Sequence, residues 1–101
     1  MKRLLFVLLA GCVPNPAPAV DAQSALELRR AGRVNEAAEA YEELLRAEPR
    51  NATVWWAYAE LLRHDLRRMT EAENAYARAV ESDSGLAGAH HDYATLLAQT
   101  G

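Results

Sequence analysis

VNEAAEAYEELLRAEP, Val34 to Pro49, decides the fold, because it returns 35 residues later as MTEAENAYARAVESDS, Met69 to Ser84. Glu36 falls on Glu71, Ala37 on Ala72, Ala40 on Ala75 and Tyr41 on Tyr76. The same shift lays WWAYAELL, Trp55 to Leu62, on HHDYATLL, His90 to Leu97, matching Tyr58 with Tyr93, Ala59 with Ala94 and both leucine pairs. Two blocks at one period mark a repeat architecture.

Each block is helical by pattern. Ala37, Ala40, Tyr41 and Leu44 recur at i, i+3, i+4 and i+7, and so do Trp55, Tyr58, Ala59 and Leu62, which puts each set on one face of a helix. Asn35 and Thr70 are suited to N-cap positions, and Thr70 with Glu73 has capping-box spacing. Pro49 and Ser84-Gly85 stop the helices they follow. The pattern predicts an all-α chain of five helices near residues 20–31, 35–48, 52–64, 69–82 and 86–99.

Composition agrees. A chain of 101 residues holds one small domain. Its 21 alanines, with a single phenylalanine and five glycines, suit close-packed helices. The net charge of -3 becomes more negative if residues 1–11, with Lys2 and Arg3, are removed, which argues against a nucleic-acid partner.

A period near 34 with paired helices resembles the tetratricopeptide repeat, whose pattern is W-x2-L-G-x2-Y in the first helix and A-x3-F, then P, in the second. The second repeat here supplies Trp55, Tyr58, Ala59 and Leu62, then Ala72, Tyr76, Ala79 and Ser84. The first supplies Ser24, Ala25 and Leu28, then Gly32, Ala37, Tyr41 and Pro49; the third has only an opening helix with Tyr93, Ala94 and Leu97. The resemblance implies a right-handed superhelical α-α repeat of about two and a half repeats over residues 21–101. Ala25, Ala59, Ala94, Ala37 and Ala72 are then small where helices approach, and aromatic rings fill the gaps. Three departures stand out. The turn RHDLRR, Arg63 to Arg68, is one residue longer than the family spacing and lacks glycine; Ser84 replaces the proline; and no second helix completes the third repeat, so the last helix either acts as a cap, with Tyr93, Leu96 and Leu97 partly covered, or awaits a partner. Stability should be modest.

The N-terminus has a separate logic. Met1 to Arg3 is basic, Leu4 to Ala10 apolar, and Ala10-Gly11 small, the order of a secretory signal. A helix of that apolar run reaches about 10 Å, too short for a hydrocarbon core of roughly 30 Å. Leu9-Ala10-Gly11-Cys12 resembles the bacterial lipobox, which implies lipidation of Cys12, the only cysteine, and removal of residues 1–11. Two or more acyl chains hold a membrane firmly where one does not. A plain signal peptide with Cys12 near its cut is the alternative. Residues 12–20, ending in the proline-rich VPNPAPAV, then form a tether, or a leader without a role. Val13 is not the aspartate that marks inner-membrane retention in lipoproteins. The resemblance therefore places the chain in the bacterial cell envelope, on the outer membrane facing the periplasm.

No CxxC, HExxH, GxGxxG, Walker-type loop or GxSxG occurs, so the sequence points to no enzyme, no cofactor, no metal and no small-molecule substrate. His90 and His91 are adjacent and diverge on a helix, and His90 reads as a packed counterpart of Trp55. Arg67 and Arg68 read as a solvated turn. In the tetratricopeptide family the opening helices line a concave groove that receives peptides or helices of partner proteins. The resemblance puts Trp56, Glu60, Arg63 and His64, with Thr53, in that groove, joined by Leu26, Arg29 and Arg30 from the first helix and His91 and Thr95 from the third. Trp56 is either an aromatic anchor for a partner or a residue packed against the next helix. The family's carboxylate clamp is missing. The expected function is that of a membrane-anchored adaptor binding another envelope protein or peptide. The alternatives are a pilus or secretion assembly lipoprotein and a truncated repeat fragment that binds nothing.

Overall fold

The computed structural model describes residues 21–100, so the expected signal peptide, Cys12 and the expected tether lie outside the described residues. Five α-helices follow in order: α1 Ala22–Arg30, α2 Val34–Ala47, α3 Ala52–Glu60, α4 Met69–Ser82 and α5 Ala87–Thr100. A π-helical segment, Leu61–Asp65, continues α3. Each helix packs on the one that follows it, so α1 and α2 form one hairpin, α3 and α4 a second, and α5 opens a third.

Small residues allow this closeness. Ala25, Ala37, Ala59, Ala72, Ala79 and Ala89 are each 0% exposed, which lets backbones approach where a larger side chain would hold them apart. Tyr41, Tyr76, Leu61, Leu62 and Leu96 fill the spaces between. Ala94 departs from the expected packing: it is exposed, because among the described residues no helix follows α5 to cover it. Leu97 is 40% exposed for the same reason, whereas Leu62, 35 residues earlier, is 1% exposed. Tyr93 is half-buried and stacks on Tyr76 at 6.3 Å.

The two hairpin turns show how the extra residue is absorbed. After α1, Gly32 has φ 85, its N–H donates to the Arg29 carbonyl at 3.0 Å and that of Arg33 to Leu28 at 2.9 Å. This is a Schellman turn, with glycine in the left-handed position. After α3 the π segment widens the helix by one residue: Leu66 N–H donates to Leu61 at 3.1 Å and Arg68 N–H to Leu62 at 2.8 Å. Arg67, 35 residues after Gly32, takes the left-handed conformation at φ 60. The widening keeps Leu61 and Leu62 both in the core.

Helix starts follow two schemes. Asp21 Oδ1 accepts from Ser24 N–H at 2.8 Å, and Asn51 Oδ1 from Val54 N–H at 3.1 Å, so α1 and α3 have side-chain caps. Asn35 and Thr70 do not cap. The turns leave the left-handed residue directly into helix, so α2 and α4 begin at Val34 and Met69, with Arg33 and Arg68 at the caps. Those arginines pair instead with Glu36 and Glu71, at 2.6 and 3.8 Å.

Candidate functional site

Helices α1, α3 and α5 are the first helices of their repeats, and three polar contacts link them, each between residues 36 apart. Arg29 Nε donates to Asp65 Oδ2 at 2.7 Å, Trp56 Nε1 to Asp92 Oδ2 at 2.9 Å and Arg63 Nη2 to Gln99 Oε1 at 2.9 Å. From one first helix to the next the chain advances by one repeat, and these side chains reach one residue further, so the same geometry recurs. The result is a continuous wall.

Trp56 belongs to that wall. Its ring is half-buried between α3 and α5 and rests on Gly88: a Cβ there would lie 2.3 Å from Trp56 Cη2. Glycine at this position makes room for the indole. Arg63 departs from the expectation of a groove-facing cation. It is 7% exposed, with Nη1 at 3.5 Å from the Asp92 carbonyl as well as Nη2 on Gln99. Burial without a partner would be costly, and these acceptors satisfy it.

Glu60 is the polar centre. It accepts from the Tyr76 hydroxyl at 2.8 Å, lies 3.1 Å from His64 Nε2 and has Asp92 as an acidic neighbour. Burial pushes the Glu60 carboxyl up, and the hydrogen bond with Asp92 adds to this; Tyr76 and His64 pull the other way. Burial opposes ionisation of Asp92 too, but hydrogen bonds from Glu60 and Trp56 hold its carboxyl below the usual range. One proton held by Glu60 and directed at Asp92 accounts for both directions.

The remaining expected residues lie around this centre. His64 and His91 are exposed, as are Arg30 and Thr53, while Arg29 is half-buried in its pair with Asp65. Leu26 and Thr95 are partly covered. The structure thus brings together Trp56, Glu60, Arg63 and His64, and sets Arg29 and Arg30 at one edge with His91 at the other. Asp92 and Gln99 were not expected. Both stand 36 residues after a residue they bind, one more than the repeat period, which is the signal that could have found them.

His90 is exposed, not packed. Its Nε2 lies 2.9 Å from the Ser84 carbonyl, as Trp55 Nε1 lies 2.8 Å from the Pro49 carbonyl, so it reproduces the hydrogen bond of Trp55 without its burial. Among the described residues no group of three histidine, cysteine or acidic side chains is arranged to hold a metal, and no helix is long and apolar enough to cross a membrane.

Comparison with curated proteins gives no match. The family model of the tetratricopeptide repeat matches residues 23–87, more than half of the chain. With five helices paired at the expected period, the chain belongs to the tetratricopeptide repeat family.

Proposed function

We propose that the chain is a lipid-anchored adaptor of the bacterial envelope whose α1, α3 and α5 face receives a peptide or helix of another envelope protein. The observation that carries the binding half is the division of labour along this face. Trp56, Arg63 and Asp92 are spent on holding helices together, while Thr53, His64, His91 and Arg30 remain open to solvent beside the half-buried Glu60. A rigid wall with a polar fringe suits a partner that arrives already folded or folds on contact. The anchoring half is supported by LAGC, Leu9 to Cys12, and by VPNPAPAV, Val13 to Val20, after it.

Two measurements test the halves separately. The mass of the mature N-terminus should begin at Cys12 with acyl groups attached; an unmodified thiol removes the anchor. Replacing Arg30 and Thr53 together by Glu should abolish co-purification of the partner while leaving the melting temperature near that of the parent. Unchanged co-purification rejects the groove. These residues are better probes than Trp56, whose loss would loosen α5 as well.

A further inference from the structure

Trp55 points to a different face from Trp56 and borders a second region. One cleft of about 340 Å³ lies between α2 and α3, lined by Glu42, Leu45 and Arg46 with Trp55 and Tyr58. Another of about 210 Å³ lies between α3 and α4, where Asn74, Ala75 and Arg78 meet Trp55. Arg78 continues into a third, beside Arg50 and Glu81. Trp55 and Arg78 each border two clefts, so the three run together into one band.

The band joins an aromatic ring to cations. The guanidinium of Arg78 stands 5.7 Å from the Trp55 ring centroid, a cation–π distance. The Trp55 N–H is taken by the Pro49 carbonyl, which leaves its apolar ring as the available part. Arg29, Arg33 and Arg68 all pair with acids, but among the described residues Arg46, Arg50 and Arg78 have no carboxylate oxygen within 4 Å. Two neighbouring acids are already engaged, Glu42 by the Tyr58 hydroxyl at 2.6 Å and Glu71 by Arg68. In a chain of net charge -3, three uncommitted arginines beside one aromatic ring constitute a complementary surface for an acidic ligand.

We infer a second binding site here: an extended acidic peptide segment seats one apolar side chain against Trp55 and places carboxylates on Arg46, Arg50 and Arg78. A peptide fits better than an anionic membrane surface. The arginines line clefts, two of which Trp55 also borders, and Glu81 sets a negative charge among them, in the same cleft as Arg50 and Arg78. A linear segment can place its charges to avoid Glu81. A bilayer cannot.

The two tryptophans make the test direct. The full chain, labelled with nitrogen-15, is titrated with the peptide Glu-Asp-Phe-Asp-Glu while the two indole N–H resonances are followed. The Trp55 resonance should shift saturably and that of Trp56 should stay, with the affinity falling as salt rises. Replacing Arg46, Arg50 and Arg78 together by Gln should weaken binding by about fivefold or more at an unchanged melting temperature. Four results would overturn the inference: no Trp55 shift at millimolar peptide, full affinity in the triple variant, movement of Trp56 instead of Trp55, or a Trp55 response confined to vesicles containing about a quarter phosphatidylglycerol. Because Trp56 and the groove variants report on the other face, failure here leaves the groove reading independently testable.

Discussion

Arg67 holds the left-handed backbone conformation, φ 60, at the position where Gly32 holds it at φ 85 one repeat earlier. The two residues close equivalent helix ends, and only one of them is suited to the task. An L side chain in this region costs about 1 kcal/mol or more, whereas glycine enters it freely. The chain tolerates the cost because the π segment before Arg67 keeps Leu61 and Leu62 buried.

Arg67→Gly should therefore stabilise the fold by about 0.5 to 1 kcal/mol, the relief of strain exceeding the added freedom of the unfolded chain. The counterpart Gly32→Ala should destabilise it by about 1 kcal/mol, although a Cβ there meets nothing within 4 Å. Urea midpoints of the two variants check the pair. A lowered midpoint for Arg67→Gly contradicts the assignment of strain.

Gly88→Ala tests the seat of Trp56. On helix propensity alone alanine should gain about 1 kcal/mol. Contact with Cη2 and Cζ2 of Trp56, at 2.3 and 2.6 Å from the new Cβ, should reverse the sign and cost about 2 kcal/mol. The smaller ring of Trp56→Phe should recover part of that loss in a double-mutant cycle, measured by thermal melts. Additive losses would show that the two residues do not meet.

The Glu60 and Asp92 pair gives a pH dependence with a definite sign. Glu60, raised in the fold, adds stability that is complete below its unfolded value and lost as pH rises through its folded one. Asp92, lowered in the fold, adds stability above its unfolded value that is lost as pH falls through its folded one. The pair thus contributes most in mildly acid solution, between the two folded values, with Tyr76, His64 and Arg63 setting the surroundings. Glu60→Gln, which keeps a donor for Asp92 and an acceptor for Tyr76, should raise the melting temperature at pH 7 and flatten its decline as pH rises. A melting temperature lowered at pH 7 would show that Glu60 is held there as a stabilising anion.

Truncation of equivalent leucines should report the open end of the stack. Leu62→Ala, at a site 1% exposed, should cost about 2 to 4 kcal/mol. Leu97→Ala, 40% exposed, should cost less than about 1 kcal/mol. Chemical denaturation compares them, and equal losses would mean that Leu97 is covered in solution.

The helices, their order and most of the core were legible because burial repeats with the sequence: Ala37 and Ala72, or Tyr41 and Tyr76, meet the same neighbours 35 residues apart. The N-terminal caps were misplaced because Asn35 and Thr70 carry cap chemistry, while the backbone enters the helix before them. Arg67 gave no sign of a left-handed turn, since arginine has no preference for one; only its distance from Gly32 pointed there. The groove was readable as a face but not as an arrangement. Arg63 looked like a free cation because its partners, Gln99 and the Asp92 carbonyl, come from a helix 29 to 36 residues on. Spacing reveals which side of a helix a residue occupies, whereas the side chains that cross between repeats decide what remains free to bind.

The most direct test of the central claim, that the α1, α3 and α5 face receives a protein partner, is site-specific photocrosslinking in living cells with a benzophenone side chain at Thr53 or His91, and at Glu39 on the exposed side of α2 as the control. A single discrete adduct from Thr53 and His91, absent from Glu39, is the predicted result. No adduct from either groove position, or the same adduct from all three, would contradict it.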